Sequence, residues 1–305
     1  MKILVTGAGG QLGADLVCAF GGVVPTGGRR RSLYGPEGPG PSAGEVIGTD
    51  HATMPVEDRD AVLGTVMSVR PQLIVHAAAY TAVDACESEP VTAFSVNALG
   101  TRHLAEAAEA VGAHLAYIST DYVFDGRSPH PYSEWDRPNP LSVYGKSKLA
   151  GERECRPGTT IVRTSWVCGA HGANMVKTAL RLAAGDGPLR FVDDQHGSPT
   201  FTADLAAAVV TLATDRVPGV FHVTNQGSTT WFELVRSVLA AVGADPSRVE
   251  PITTAELSPA RPAPRPANSV LENRALKMSG RPLLPDWHDG LTRLVDALGV
   301  AVEPS

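Results

Sequence analysis

Apolar and polar residues along this chain fall into blocks whose period changes from strand-like to helix-like and back. Lys2 to Thr6 is a short apolar run that ends in glycines, and Gln11 to Phe20 then sets Leu12, Leu16, Val17 and Phe20 on one side of a helix. The unit reads strand, turn, helix. It recurs: Val23 and Val24 form a second strand that ends near Thr26, a helical stretch covers Asp58 to Val69, and Leu73 to His76 is a third strand. A long helix is predicted from about Pro90 to Gly112, then a strand from His114 to Ser119, a helix near Val143 to Cys155 and a strand from Thr159 to Arg163. Parallel strands need crossover connections, so this alternation predicts an α/β fold with a doubly wound parallel sheet wrapped by helices.

Two stretches break the rhythm. Gly27 to Glu45 holds six Gly, three Pro and two Ser in nineteen residues, a composition that cannot bury a core and predicts a surface loop. After about Cys168 the alternation weakens, and a Pro-rich segment from Pro259 to Pro266 precedes a final helix around Trp287 to Leu298. The expected division is a dinucleotide-binding domain over 1–168 and a smaller C-terminal substrate-binding lobe over 169–305. The strand candidate Val220 to Val223 marks a segment near 203–225 that returns to the main sheet.

Composition narrows the classes. In 305 residues, 43% hydrophobic and 19% charged content excludes wholesale disorder. A net charge of −6 argues against a nucleic-acid partner held mainly by charge. No run of 18 apolar residues occurs and the amino terminus carries no apolar signal segment, so no membrane partner and a cytoplasmic location are expected. Four cysteines, Cys18, Cys86, Cys155 and Cys168, are too sparse for a disulfide scaffold and read as reduced, mostly buried thiols.

The first candidate chemistry is the run GAGGQLG, where Gly7, Gly10 and Gly13 stand three apart directly after the first strand. A turn this tight lets backbone approach a pyrophosphate and turns a helix amino terminus toward its charge. That is the dinucleotide signature of a Rossmann-type sheet. The second is YGKSK, where Tyr144 and Lys148 share one helical face. An ammonium there lowers the phenol's pKa from its ordinary value near ~10 and makes Tyr144 a usable proton donor. Thr120 ends the fourth strand, at the edge where such sheets place ligands, and its hydroxyl can bind a substrate carbonyl.

These elements resemble the extended branch of the short-chain dehydrogenase/reductase superfamily. The stretches AAAYTAVDACESEP, STDYVFDG, NPLSVYGKSKLAGE, RTSWV and DDQHGSPT, with RPANSVLEN and LLPDWHDGL near the end, resemble the dTDP-4-dehydrorhamnose reductases from Met1 to about Leu298. The resemblance implies reduction of the 4-keto group of a dTDP-4-keto-6-deoxy-L-hexose by a nicotinamide cofactor, and a homodimer. Carried over position by position, it makes Thr120, Tyr144 and Lys148 the catalytic trio. Gly10, Gln11 and Leu12 line the pyrophosphate, Ala77, Ala78 and Ala79 flank the cofactor, and Asp121 and Trp166 lie beside the sugar. Asp50 and His51 match positions near the adenine end.

One departure from the family pattern concerns the second strand, which in this reading lacks the terminal acid that binds ribose hydroxyls and repels a 2′-phosphate. Arg29, Arg30 and Arg31 stand there instead, which favours NADPH while leaving NADH open as the alternative cofactor. Two other functions use the same residues differently. A nucleotide-sugar epimerase or 4,6-dehydratase shares the fold, but in dehydratases an Asp-Glu pair follows the threonine, and here Tyr122 takes the place of the Glu. A non-catalytic subunit resembling the regulatory partner of methionine adenosyltransferase would have no use for an intact trio. No metal is expected, because nine histidines form no HxxxH or HExxH spacing. Trp231 and Trp287 read as packing residues, and Asp193, Asp194 and Gln195 as a loop turn rather than a catalytic acid pair.

Overall fold

The computed structural model describes residues 1–21 and 44–299. β1 (Lys2–Thr6) leads through the glycine turn to α1 (Gln11–Ala19). β2 (Glu45–Thr49), α2 (Arg59–Val69) and β3 (Leu73–His76) follow. Then come α3 (Val83–Ser88), α4 (Pro90–Phe94), a π-helical turn (Ser95–Leu99), α5 (Gly100–Val111) and β4 (His114–Thr120). α6 (Val143–Glu154) precedes β5 (Thr160–Thr164) and the two-residue β6 (Val167–Cys168). Beyond it lie α7 (Met175–Ala183), β7 (Leu189–Val192), β8 (His196–Gly197), β9 (Thr200–Phe201), α8 (Thr202–Thr214) and β10 (Gly219–His222). β11 (Thr229–Thr230), α9 (Trp231–Ala241), β12 (Val249–Ile252), α10 (Arg274–Met278) and α11 (Trp287–Leu298) complete the order.

The main sheet has six parallel strands in the order β10-β5-β4-β3-β1-β2. Helices cover both faces, which explains why the inner strands read as apolar runs rather than alternations: β3 is LIVH and buried throughout. On one face Leu16 and Val17 of α1 pack with Leu205 and Val209 of α8. On the other, Val62 and Val66 of α2 meet Leu104 and Ala108 of α5. The Asp58 carboxylate starts α2 by accepting from the backbone N–H groups of Asp60 and Ala61, each at 3.0 Å. A separate core joins α7, α9 and α11 through Val176, Leu234, Val235, Trp287 and Leu291. β10 hydrogen-bonds in parallel to β5, so a late segment of chain completes the first sheet. Among the described residues, no helix is long and apolar enough to cross a membrane.

Two elements differ from the sequence reading. Val23, Val24 and Thr26 lie outside the described residues, and the strand paired with β1 on its outer side is Glu45–Thr49. That strand reads EVIGT and sits half-buried at the sheet edge, so its apolar signal is weak. The helix predicted from Pro90 to Gly112 is broken by the π-helical turn. Asn97 in that turn reaches out of the helix: its Oδ1 accepts from the Tyr80 N–H at 2.8 Å, and its amide donates to the Tyr80 carbonyl at 3.1 Å and the Ser147 hydroxyl at 2.9 Å. A residue inserted into a helix to aim one side chain is what a π turn does.

Candidate active site

The glycine turn is fixed by close approach. Gly7 has φ 69°, in the left-handed region, and a Cβ on Gly13 would lie 1.9 Å from the Gly7 carbonyl oxygen. Gly10 caps α1 without a side-chain acceptor, so the turn leaves the helix's first N–H groups to an anion. A turn with no room for a Cβ at Gly7 or Gly13, at a helix amino terminus, fits the pyrophosphate of a dinucleotide.

A cavity of about 810 Å³ opens from this turn along the carboxyl ends of β1 to β5. Gly7, Gly10, Gln11, Leu12, Gly13, Asp50, His51, Ala77, Ala78 and Ala79 line one part of it, and Thr120, Asp121, Tyr144, Lys148 and Trp166 line another. Chain segments far apart in sequence thus converge on one space, at the sheet edge where open α/β folds place ligands. Arg29 and Arg30 lie outside the described residues. Their premise is corrected by the fold: the second strand ends at Thr49 and is followed directly by an acid, Asp50, so the acid stands where the fold expects it. Asp50 is already engaged, since its Oδ1 accepts from the Thr53 N–H at 3.0 Å and the Thr53 hydroxyl at 2.8 Å, contacts that hold its carboxyl below the usual range.

α6 starts on the Ser142 cap and carries Tyr144 and Lys148 inward on one face. The Lys148 ammonium donates to the Ile118 carbonyl at 2.7 Å and stands 4.2 Å from the centre of the Tyr117 ring. Burial pushes it down to about 7, with Glu152 opposing. Tyr144 differs from expectation. Burial drives its phenol above the ordinary value, against a lowering by the Thr120 hydroxyl, so desolvation outweighs any acidifying effect and the ring stays protonated at neutral pH. The Thr120 hydroxyl donates to Asp121 Oδ1 at 2.9 Å. Desolvation pushes Asp121 up to about 6 against the nearby Ser269 and Thr120 hydroxyls.

Trp166 holds φ 44°, and its ring stacks on Trp231 with centroids 3.6 Å apart and planes 8° apart. Gly197 admits that ring, for a Cβ there would lie 2.3 Å from Trp166 Cε2. Trp231 itself lines the cavity, so it does more than the packing its sequence context implied. The sequence signal that could have found it is the cap, since Thr230 starts α9 beside Asp193 and aims the first helical residue at the site. Trp287 is buried among the second core. Asp193 and Asp194 accept hydrogen bonds from the Thr230 and Thr254 hydroxyls, each at 2.6 Å, and neither lines the cavity.

Comparison with known proteins agrees with this geometry. The family model for the RmlD substrate binding domain matches residues 1–300. A dTDP-4-dehydrorhamnose reductase from Streptomyces griseus is 43% identical over 304 residues, covering 97% of this chain and 93% of that protein. A solved dTDP-4-dehydrorhamnose reductase from Clostridium acetobutylicum superposes with a TM-score of 0.87 at 37% identity, over 98% of this chain and 100% of that one. The Bacillus anthracis enzyme, solved in complex with NADP, gives 0.85 at 36% identity over 97% and 99%. A glycine cradle, a Thr-Tyr-Lys trio and an indole wall sharing one cavity, in a chain matched along nearly its whole length, lead to one family: the chain belongs to the dTDP-4-dehydrorhamnose reductases of the RmlD type.

Proposed function

We propose that this protein reduces the 4-keto group of a dTDP-4-keto-6-deoxy-L-hexose with NADPH, and that Thr120, Tyr144 and Lys148 carry the reaction. The observation that supports it most is the single cavity joining the glycine cradle to the trio. Gly10, Gln11 and Leu12 would hold the pyrophosphate, Ala77 to Ala79 the middle of the dinucleotide, and Asp50 and His51 the adenine end. NADPH supplies a hydride when bound. Tyr144, kept neutral by burial, gives its phenolic proton to the sugar oxygen as negative charge develops there. Thr120 turns its hydroxyl from Asp121 to that oxygen, and Lys148 orients the nicotinamide ribose from its place beside the Ile118 carbonyl. Asp121 and the Trp166 ring flank the sugar. Elimination chemistry has less support, because Tyr122 stands beside Asp121 where a dehydratase needs a carboxylate, and its phenol is pushed up to about 12 by burial. We assign most of 169–305 to the substrate lobe, with α8 and β10 returned to the sheet.

The test is NADPH consumption with the dTDP-linked keto sugar, with product configuration read by NMR. Tyr144→Phe should lower turnover at least ~100-fold while cofactor affinity stays within about threefold, because the ring remains and the proton donor goes. A variant that keeps more than half the wild-type rate would remove Tyr144 from the mechanism.

A further inference from the structure

We propose that Glu152 is a positioning residue that keeps the Lys148 amino group cationic and aligned with Tyr144 and Thr120. The inference rests on the catalytic reading of Lys148 above. Tyr144, Lys148 and Glu152 are spaced by four on α6, so all three lie on the face turned to the sheet, and all three are buried. Three donors hold the Glu152 carboxylate. The Arg163 guanidinium grips it with two bonds, Nε to Oε1 at 2.8 Å and Nη2 to Oε2 at 2.7 Å, and the Ser119 hydroxyl donates to Oε1 at 2.6 Å. Ser119 directly precedes Thr120 on β4, and Arg163 directly precedes Thr164, a cavity residue on β5. One carboxylate therefore ties the catalytic helix to both strands at the level where the trio meets.

Stability alone is a weak reason for this arrangement. The two side chains are 4% and 6% exposed, and a pair buried so deeply is often no better than apolar residues of the same volume. The neighbourhood of Lys148 gives a second reason. The groups facing it are Glu152 on its own helix and Cys155 just past that helix's end, His76 of β3 and Tyr117 of β4, with Arg163 of β5 beyond Glu152. Burial holds His76 neutral, down at about 3, and pushes the Cys155 thiol up to about 12. The Tyr117 phenol is likewise pushed up by burial and stays neutral. That leaves Glu152 as the negative charge in the set. The Ile118 carbonyl orients the ammonium but brings no charge to balance it.

An opposite charge favours the charged form, so losing Glu152 lowers the pH at which Lys148 releases its proton. If the cation is the active form, the alkaline limb of kcat moves to lower pH. The experiment measures kcat against pH for the full chain, at saturating NADPH and dTDP-4-keto-6-deoxy-L-hexose, in wild type, Glu152→Gln, the double variant Glu152→Met with Arg163→Met, and Lys148→Met. Glu152→Gln should shift the alkaline limb down by about one pH unit, with the KM for NADPH at pH 6 within about threefold of wild type. The double variant leaves no unpaired buried charge and so guards against a misfolded single variant; its limb should move the same way by less. A purely structural role would lower the rate equally at every pH. An unmoved limb in the double variant overturns the proposal. Lys148→Met separates the two levels: if it is inactive while the Glu152 limbs stay fixed, this inference falls alone, and if it keeps the wild-type profile, the catalytic reading falls with it.

Discussion

The glycine cradle and the indole wall border the same cavity but are built by opposite means. The cradle is backbone: a left-handed Gly7, a Gly13 with no room for a Cβ, and an uncapped helix start, all within one short stretch of chain. The wall is side chain. It takes Trp166 from the end of β5, Trp231 from the start of α9 and Gly197 from β8, three segments that only the finished fold brings together. The difference predicts how each fails. A backbone cradle has no slack, since a new atom must displace main chain, whereas a stacked wall can shift by a rotamer and lose alignment rather than existence.

Gly13→Ala should give the largest effect. Its Cβ would meet the Gly7 carbonyl oxygen at 1.9 Å, with backbone on both sides and no flexible side chain to yield. NADPH affinity measured by fluorescence titration should fall by at least ~100-fold, the loss expected when a preorganised set of donors to the pyrophosphate is dismantled. Affinity within threefold of wild type would show that the cradle has slack and break the contrast. On the wall, Gly197→Ala puts a Cβ 2.3 Å from the Trp166 ring, which can swing. A misplacement of about 1 Å costs up to ~100-fold in rate, so kcat/KM for the sugar nucleotide should drop roughly 10- to 100-fold while the KM for NADPH stays unchanged. A parallel loss in both constants would mean that the wall and the cradle move as one body. Trp231→Ala should be milder, about tenfold on the same constant, with Trp231→Phe recovering most of it because an aromatic face remains to stack.

The same contrast decides what could be read without coordinates. The glycine turn, α6 with Tyr144 and Lys148, and the strands Leu73–His76 and His114–Thr120 are local patterns, and their spacing alone implies the structure. β2 escaped because EVIGT is too polar and too edge-bound to look like a strand. Asp50 is matched to the adenine end, but without this strand it is not seen to follow the second strand directly, and the arginines at 29 to 31 take on a weight that the strand order does not give them. The π turn at Asn97 was hidden for another reason. Its cause is a set of hydrogen bonds to Tyr80 and Ser147, neither of them on that helix, and no periodicity records them. The Glu152–Arg163 pair lies in view in the sequence, yet nothing there distinguishes it from exposed helix charges such as Glu154, which pairs with Arg102 at the surface.

The smallest predicted effect concerns the seam between the two regions, where Asp121 follows the last residue of β4 and lines the cavity. Burial raises it from 3.8 to about 6, so between those two values the folded protein keeps a proton that the unfolded chain has released. The folded state therefore gains most from this group below pH 4, and that gain is lost as pH rises through about 6. A gap of roughly two units corresponds to roughly 3 kcal/mol at most. Asp121→Asn keeps the shape and removes the titration. Its melting temperature should match wild type near pH 4 and exceed it by a few degrees at pH 7.5, measured by calorimetry across that range. The gain is expected because burial, which disfavours the ionised carboxylate, outweighs the hydroxyls that steady it, and the amide carries no charge to desolvate. A difference that does not change with pH would mean that the carboxylate is solvated in the free enzyme. The sugar wall would then be wetter than the cradle, and Thr120 would turn to the substrate without giving up a buried charge.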